Sequence, residues 1–273
     1  FFWVARMIMA GLYFCKDIPF SNVYFTGIIR DSEGKKMSKS LGNSPNPLDL
    51  FDKYGADAVR VSVLLIAPQG LDILFSEERL EQGRNFMNKL WNSARFILMN
   101  LDYGLPANLE DLNSQKLDAT DRWILSRVNS IIKETNTAYT EYKLNEAIKR
   151  VYDFTRADFC DWYIEFAKTR FYGDDPEDRE IVQAVAVHVM CEILKLLHPY
   201  CPFITEELWN CFKVTDENLL ISTLWPEVDS SQIDKNVENE IQILMDVITA
   251  IRNIRASLNV SPGKEASLTI RGD

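Results

Sequence analysis

Residues 34 to 43 form a short glycine-bounded segment whose composition suits contact with phosphate. Three lysines and two serines occupy the six positions 35 to 40, between Gly34 and Gly42. Glycine lets the backbone approach a ligand closely, hydroxyl groups donate hydrogen bonds, and ammonium groups act as mobile point charges toward spread anionic charge. The same composition is also typical of a solvated, lysine-rich turn. Composition alone leaves both interpretations open.

A second informative stretch, residues 79 to 101, has the periodicity of a helix with two different faces. At about 100° per residue its apolar side chains fall in one stripe, as in a helix that packs in a bundle. The stripe consists of Phe86, Leu90, Ala94, Ile97 and Leu101. The opposite face carries cations, amides and aromatic rings: Arg84, Asn85, Asn88, Lys89, Trp91, Asn92, Arg95 and Phe96.

The polar face of this helix favours a partner outside the chain. Asparagine is a poor helix former, so three asparagines on one face cost stability unless something beyond the helix uses them. An ordinary solvated surface would explain the cations, and burial statistics favour Trp91 as a core or rim residue. Contact with an outside partner and an ordinary solvated surface therefore both remain possible interpretations of this face.

The charge of this helix opposes the charge of the chain. Between residues 79 and 101, Arg79, Arg84, Lys89 and Arg95 stand against Glu81, a net charge of +3, whereas the 273-residue chain carries -10. A net acidic chain argues against a surface that is attracted as a whole to nucleic acid or to anionic membranes. Any contact with RNA is therefore expected to be local, and this helix is where we predict it.

The elements before residue 75 indicate the edge of an α/β domain. Residues 1 to 15 read as an apolar helix, and residues 23 to 29, rich in β-branched and aromatic side chains, read as a short buried strand. A helix, a strand and a polar glycine loop in that order are typical of such a domain. Residues 48 to 54 and 58 to 66 are then predicted to be helical.

From residue 76 onward the sequence predicts a helical bundle. Ser76 is expected to cap a helix that runs to about Asn100, with Glu77 and Glu78 at the positive end of its dipole. Further helices are predicted over residues 121–139, 143–171, 178–197 and 234–258, and a last short strand over 266–270. We therefore expect two domains, residues 1–75 and 76–273.

Composition limits the remaining classes of protein. With 47% hydrophobic residues the chain can bury a large core. Its five cysteines form no Cys-x-x-Cys pair and only two histidines are present, so a tetrahedral metal site is poorly supported and reduced thiols of a cytosolic protein are expected.

The N-terminal apolar stretch is too short and mixed for a membrane span and does not resemble a signal peptide. We expect the chain to begin inside a helix of a larger protein.

Residues 36 to 40 read Lys-Met-Ser-Lys-Ser, which is identical to the signature pentapeptide of class I aminoacyl-tRNA synthetases. Leu41-Gly42-Asn43 and Tyr54-Gly55-Ala56-Asp57-Ala58-Val59-Arg60 follow it as in the subgroup for large hydrophobic amino acids. The resemblance implies that the loop binds ATP through Lys36, Met37, Ser38, Lys39 and Ser40. It implies a catalytic role for Lys39, supported by Lys36, in stabilising the charge that builds up on departing pyrophosphate.

Residues 84 to 96 resemble the helix that joins the catalytic and anticodon-binding domains of valyl-tRNA synthetases, and residues 121–125, 159–165 and 197–209 extend the resemblance. It implies contact with tRNA through Arg79, Arg84, Asn85, Asn88, Lys89, Trp91, Asn92, Arg95 and Phe96. In the valine enzymes a tryptophan of a matching Phe-Trp-Val-x-Arg-Met string lines the amino-acid pocket, so Trp3 is the implied valine contact. Packing of Trp3 in the core is the alternative.

Asp161, Glu165 and His198 could be taken for an acid/base group, but no nucleophile accompanies them. Such polar groups more often satisfy helix ends and the seams between helices. We therefore predict structural roles for all three.

The resemblance implies a mostly α fold, the C-terminal edge of a class I Rossmann-type α/β catalytic domain followed by an α-helical bundle that binds the anticodon region. The implied parent is a cytoplasmic, monomeric enzyme without membrane contact, which activates L-valine with ATP and Mg²⁺ and transfers it to tRNA(Val). An upstream half would precede Phe1, so the isolated chain is predicted to be inactive. An isoleucyl or leucyl enzyme, a non-catalytic tRNA-binding module and a helical interaction protein are the alternatives.

Overall fold

Helices dominate the fold, as the periodicity predicts. The computed structural model describes residues 2–67, 70–101, 104–106, 116–212, 219–261, 263–265, 267 and 269, and of Lys39 the backbone only. The N-terminal part contains α1 (Phe2–Ala10), a π-helical turn (Gly11–Cys15), β1 (Ile29–Arg30), α2 (Pro47–Tyr54), α3 (Ala56–Leu65) and β2 (Ile73–Leu74). The rest contains α4 (Leu80–Met99), α5 (Ala119–Thr140), α6 (Leu144–Asp153), a π-helical segment (Phe154–Tyr163), α7 (Ile164–Phe171), α8 (Pro176–Leu197), α9 (Pro202–Phe212) and α10 (Lys235–Ser257).

Helix α8 lies at the centre of the bundle and is buried along most of its length. It packs against α5, α7 and α9. Its start is fixed chemically, because Asp175 accepts a hydrogen bond from the backbone N–H of Glu177 and Pro176 occupies the first turn, where a missing N–H costs nothing. The predicted bundle is therefore confirmed.

Helix α9 was not among the predicted helices. Pro199 and Pro202 favour a break in the helix at this point, but α9 begins at Pro202 itself, because proline is well tolerated in the first turn of a helix. Thr205 and Leu208 of α9 are buried against the bundle. Tertiary packing thus stabilises a helix that local sequence signals obscure.

Two local predictions were wrong. Ser76 makes no capping hydrogen bond; a short 3₁₀ turn, Glu77–Arg79, follows it, and α4 begins only at Leu80. The predicted buried strand over residues 23–29 is reduced to Ile29–Arg30, and Phe25 is 63% exposed. A β-branched and aromatic run is buried only where neighbouring elements cover it, and β2 is the one strand that pairs with β1 in the described part of the chain. The strand expected over 266–270 lies largely outside the described residues.

Helices α3 and α4 cross at very close range and join the N-terminal part to the bundle. The backbone N–H of Gly83 donates to Ser62 Oγ at 3.1 Å. A Cβ atom at residue 83 would lie 2.2 Å from the carbonyl oxygen of Ala58, so only glycine fits. The apolar stripe of α4 packs as predicted, with Phe86, Leu90, Ala94 and Ile97 buried and Leu101, beyond the helix end, partly buried.

Candidate functional site

The lysine-rich loop rises directly from strand β1. β1 pairs in parallel with β2, Ile29 opposite Ile73. Asp72, beside β2, forms an ion pair with Arg30 and accepts a hydrogen bond of 3.0 Å from the backbone N–H of Ile28. The Arg30 guanidinium lowers the pKa of Asp72 below its usual value. The start of the loop is therefore held in place by contacts between β1 and Asp72.

A tight turn comes next. The backbone N–H of Gly34 donates to the Asp31 carbonyl at 3.0 Å, and that of Asp31 donates to the Lys35 carbonyl at 2.9 Å. Gly34 has a φ of 80°, in the left-handed region that glycine adopts without steric cost. This turn brings Lys36 back alongside Arg30, with which it forms an isolated antiparallel bridge.

Two side chains, Asp31 and Asn43, tie the two ends of the loop together; we call this pair the loop clamp. Asn43 Nδ2 donates to Asp31 Oδ2 at 2.8 Å. Asn43 also reaches into the pentapeptide, where Oδ1 accepts from the backbone N–H of Ser38 at 2.9 Å and Nδ2 donates to the Lys36 carbonyl at 3.3 Å. Neither residue was predicted to be functional, although both flank the lysines.

Inside the clamp, the pentapeptide presents its polar groups outward. Lys36 and Ser40 are exposed, and Ser38 Oγ lies 3.2 Å from Ser40 Oγ. A 3₁₀ turn over Lys39–Leu41 follows, in which Ser38 Oγ accepts from the backbone N–H of Leu41 at 3.3 Å. Within the described residues, Lys36 forms no ion pair. The prediction for the Lys39 side chain lies outside the described residues.

Trp3 lies on α1 and is 72% exposed. Its ring faces the guanidinium of Arg6, whose Cζ lies 5.5 Å from the ring centroid. Packing of Trp3 in the core of this chain is therefore excluded. Its assignment to a valine pocket stays a prediction.

The outer face of α4 is exposed. Arg79, Arg84, Asn85, Asn88, Trp91, Asn92 and Arg95 are all exposed, Trp91 at 44%. Arg84 pairs with Glu81 at 2.6 Å, one turn away on the same helix, and its guanidinium also lies over the ring of Tyr54. Surface ion pairs of this kind contribute little stability, so an anionic partner can compete for such a cation.

Two of the predicted contact residues on α4 also contact other elements of the bundle, and their contact with tRNA stays a prediction. Lys89 is partly buried and forms an ion pair with Asp161. Phe96 is partly buried too, because its ring packs edge-to-face on Phe171 with centroids 5.5 Å apart. Where a helix face borders a neighbouring element, one edge of that face packs and the other edge stays exposed. A helical-wheel plot of one helix cannot show which edge packs.

Asp161, Glu165 and His198 have separate partners, as their predicted structural roles require. Asp161 pairs with Lys89, and Glu165 pairs with Lys168 at 2.5 Å. His198 Nδ1 lies 2.8 Å from Thr205 Oγ1 at the start of α9, and burial lowers the pKa of this imidazole. The Asp161 and His198 contacts link neighbouring helical elements, whereas the Glu165 pair lies within α7.

The remaining reactive groups offer no further catalytic centre in the described part of the chain. No cluster of three His, Cys, Asp or Glu side chains there could hold a metal ion. Burial raises the pKa of the Cys160 thiol to about 11 and that of Cys191 to about 12, which keeps both protonated. Among the helices that are described, none is long and apolar enough to cross a membrane.

Two known families match different parts of the chain. Residues 121–270 match the family described as the anticodon-binding domain of tRNA ligase. Residues 1–76 match the class I tRNA synthetases (I, L, M and V).

Curated relatives match the chain over nearly all of its length. It is 46% identical to the valine–tRNA ligase of Fusobacterium nucleatum subsp. nucleatum over 99% of this chain and 31% of that protein. The valine–tRNA ligases of Clostridium tetani (45% identity, 99% of this chain, 30% of that protein) and Thermotoga maritima (42%, 100% and 30%) are similar to it as well. The chain thus spans about three tenths of the length of these relatives.

Solved structures share the fold. The LeuRS of Agrobacterium radiobacter K84, in a ternary complex with tRNA and LeuAMS, superposes with a TM-score of 0.65 at 21% identity, over 84% of this chain and 27% of that one. The methionyl-tRNA synthetase of Mycobacterium tuberculosis, in complex with methionyl-adenylate, gives 0.59 at 21% identity, over 77% and 40%. Leucine- and methionine-specific proteins therefore have the architecture described above.

Proposed function

This chain belongs to the tRNA ligase family, as a class I catalytic-domain edge joined to an anticodon-binding domain, and from that premise we propose that it forms part of a valine–tRNA ligase. The observation that carries valine over the sister specificities is the 41 to 46% identity to valine–tRNA ligases along almost the whole chain. The isoleucyl and leucyl alternatives are not favoured.

In the proposed reaction the carboxylate of L-valine attacks the α-phosphorus of ATP, valyl-adenylate forms and pyrophosphate leaves. The loop clamp holds the pentapeptide so that the exposed ammonium of Lys36, together with Lys39, meets the negative charge that builds up on the leaving group. Catalysis of this kind needs positioning and electrostatic stabilisation rather than a covalent protein intermediate. Valine then passes to the tRNA, which rests on the outer face of α4.

Magnesium would come with the triphosphate. The described residues contain no cluster of three acidic, histidine or cysteine side chains that could hold a metal ion, so we assign magnesium no ligand in this part of the chain. Trp3 remains our proposed contact for the valine side chain. We also propose a boundary between the two domains near residue 75, and a monomer in the cytoplasm, where the free thiols stay reduced.

Pyrophosphate exchange tests the catalytic part of the proposal. We propose that this segment belongs to a longer ligase, and in that ligase pyrophosphate exchange should depend on valine. Lys39→Ala should slow the exchange by roughly 100-fold or more, the usual loss for one preorganised donor. Lys36→Ala should slow it less. The 273-residue chain alone should not exchange, because it spans only about three tenths of the length of the valine–tRNA ligases it matches. Exchange that prefers isoleucine or leucine, or that ignores both lysine changes, would contradict the proposal.

Binding of tRNA(Val) to the chain itself tests the α4 face. Affinity should fall as salt rises, since each phosphate contact releases counterions. Arg84→Ala/Arg95→Ala should weaken binding and flatten the salt dependence by roughly one unit of slope per lost contact. Lys133→Ala/Lys149→Ala, which removes two exposed charges from α5 and α6, is the matched control. An equal loss of tRNA affinity in both double variants would show that the exposed face of α4 is not a specific tRNA contact.

A further inference from the structure

The loop clamp does more than an ordinary turn requires. Asp31 Oδ1 accepts hydrogen bonds from the backbone N–H groups of Glu33 at 3.1 Å and Lys35 at 2.8 Å. These bonds resemble the local side-chain to backbone pattern by which aspartate commonly shapes a turn. The bond from Asn43 is different, because it spans 12 residues and closes the whole loop.

Asn43 contacts the pentapeptide from inside. Its amide binds the N–H of Ser38 and the carbonyl of Lys36, the two backbone groups on either side of Met37. One asparagine thereby fixes the backbone between the two lysines and is itself held by Asp31. The backbone of the pentapeptide is thus set by side chains that lie outside it.

The clamp also leaves the lysines available. Glu33, the carboxylate nearest to Lys36 in sequence, pairs with Lys35 instead. The oxygens of Asp31, the next nearest, are occupied by three N–H donors, two from the backbone and one from Asn43. The Asn43 amide holds the pKa of Asp31 below its usual value, so this carboxyl stays ionised and keeps accepting. An aspartate satisfied in this way does not draw Lys36 into an ion pair that ATP would have to break.

We propose that Asp31 and Asn43 are positioning residues that preset the backbone of the ATP loop for the transition state of amino-acid activation. This inference rests on the proposed function of the loop. Neither side chain needs to touch ATP; each acts through the backbone of residues 33 to 38. Misplacing a catalytic group by about 1 Å can cost on the order of 100-fold in rate, so loss of the clamp should lower kcat by roughly 10- to 100-fold.

The kinetic test uses pyrophosphate exchange by the longer ligase. Asn43→Ala and Asp31→Ala should lower kcat in that range and leave the KM for valine within about twofold, since the amino-acid contact is elsewhere. The exchanged pair Asp31→Asn/Asn43→Asp can rebuild the cross-loop bond with donor and acceptor reversed and keeps an acceptor for the Ser38 N–H, but it loses the donor to the Lys36 carbonyl. It should therefore recover part of the lost rate and be several-fold faster than Asn43→Ala. Glu33→Gln, which removes only an exposed pair with Lys35, is the control and should stay near wild type.

A second measurement is independent of catalysis. Trypsin cleaves after lysine, and ordered backbone resists it, so native-state cleavage after Lys35, Lys36 and Lys39 of the 273-residue chain should speed up in Asn43→Ala and slow again in the exchanged pair. Glu33→Gln should cleave at the wild-type rate. The thermal midpoint of each variant shows whether the bundle is intact.

The outcomes separate the inference from its premise. If Lys36→Ala and Lys39→Ala abolish exchange while Asn43→Ala leaves kcat unchanged, the clamp has no positioning role and the proposed function stands. If the lysine variants are fully active, the proposed function itself fails. Loss of kcat in Asn43→Ala without recovery in the exchanged pair, and without faster cleavage, would also overturn the inference.

Discussion

The carboxylate of Asp57 on α3 accepts a hydrogen bond of 2.7 Å from the backbone N–H of Ile204, which lies 147 residues further along the chain in the first turn of α9. It also accepts one of 3.4 Å from the N–H of Phe203. One turn later on α3, Arg60 donates to the carbonyls of Tyr200 at 3.0 Å and Pro199 at 3.1 Å. A helix of the N-terminal part thus caps and holds the start of a helix in the anticodon-binding domain.

Asp57→Ala should destabilise the chain by about 1 to 2 kcal/mol, the usual loss for a helix cap, because it leaves two part-buried N–H groups at the start of α9 without their acceptor. Asp57→Asn should lose less, since an amide oxygen still accepts. Urea unfolding measures both. Asp52→Ala, which removes an exposed aspartate from α2, is the matched control and should stay within about 0.5 kcal/mol of wild type. Equal stability of Asp57→Ala and the control would show that the cap contributes nothing.

Gly83→Ala should be more damaging than its size suggests. The new methyl group would meet Ala58 O at 2.2 Å and Ser62 Oγ at 2.3 Å, so α3 and α4 would have to separate. Overpacking of this kind costs about 1 to 3 kcal/mol, occasionally more. Gly263→Ala is the control, because nothing lies within 4 Å of the added atom there. A Gly83→Ala thermal midpoint equal to that of the control would refute the close crossing of the two helices.

Trp91 and Phe96 should respond in opposite ways to replacement by alanine. Trp91 is 44% exposed, so Trp91→Ala should weaken tRNA binding with little change in stability. Phe96 packs on Phe171, so Phe96→Ala should cost about 2 kcal/mol or more of stability. Parallel urea unfolding and tRNA titrations distinguish them. If Trp91→Ala unfolds as readily as Phe96→Ala, the exposed aromatic side of α4 is misassigned.

Stability should depend on pH through Asp121, which is fully buried at the start of α5. It accepts hydrogen bonds from Arg170 at 2.8 Å and from the Tyr163 hydroxyl at 3.1 Å. Burial, with the neighbouring Asp118 carboxylate, nevertheless raises the pKa of Asp121 from 3.8 to about 6. The folded protein therefore binds a proton more tightly than the unfolded chain does. The resulting stabilisation is fully present below about pH 4 and is lost as pH rises to about 6.

The measurement is the free energy of unfolding at several pH values for wild type and Asp121→Asn. The difference between them should change by at most about 3 kcal/mol between pH 4 and 6, in the direction that costs the wild type stability as pH rises. Asp52→Asn, in an exposed position, should show no such change. A difference that grows in favour of the wild type with rising pH would mean that the Arg170 ion pair outweighs burial.

The sequence alone predicted most of the helices, the packed stripe of α4 and the family. These are properties of local order: a period of about 3.6 residues, the spacing of lysines and serines, and strings that match a family. Even the exposed side of α4 could be predicted, since Arg84, Asn88 and Arg95 are polar at helical spacing and are exposed.

Only the tertiary structure decided which side chains of α4 also contact other elements. It also decided which residues hold the lysine-rich loop and which connect α3 to α9. Lys89 and Phe96 lie on the polar arc of α4, yet α7 and the π-helical segment before it engage them. Asp31 meets Asn43 across 12 residues, and Asp57 meets Ile204 across 147. Such pairings depend on where the chain returns in space, and no periodicity within either segment encodes that distance.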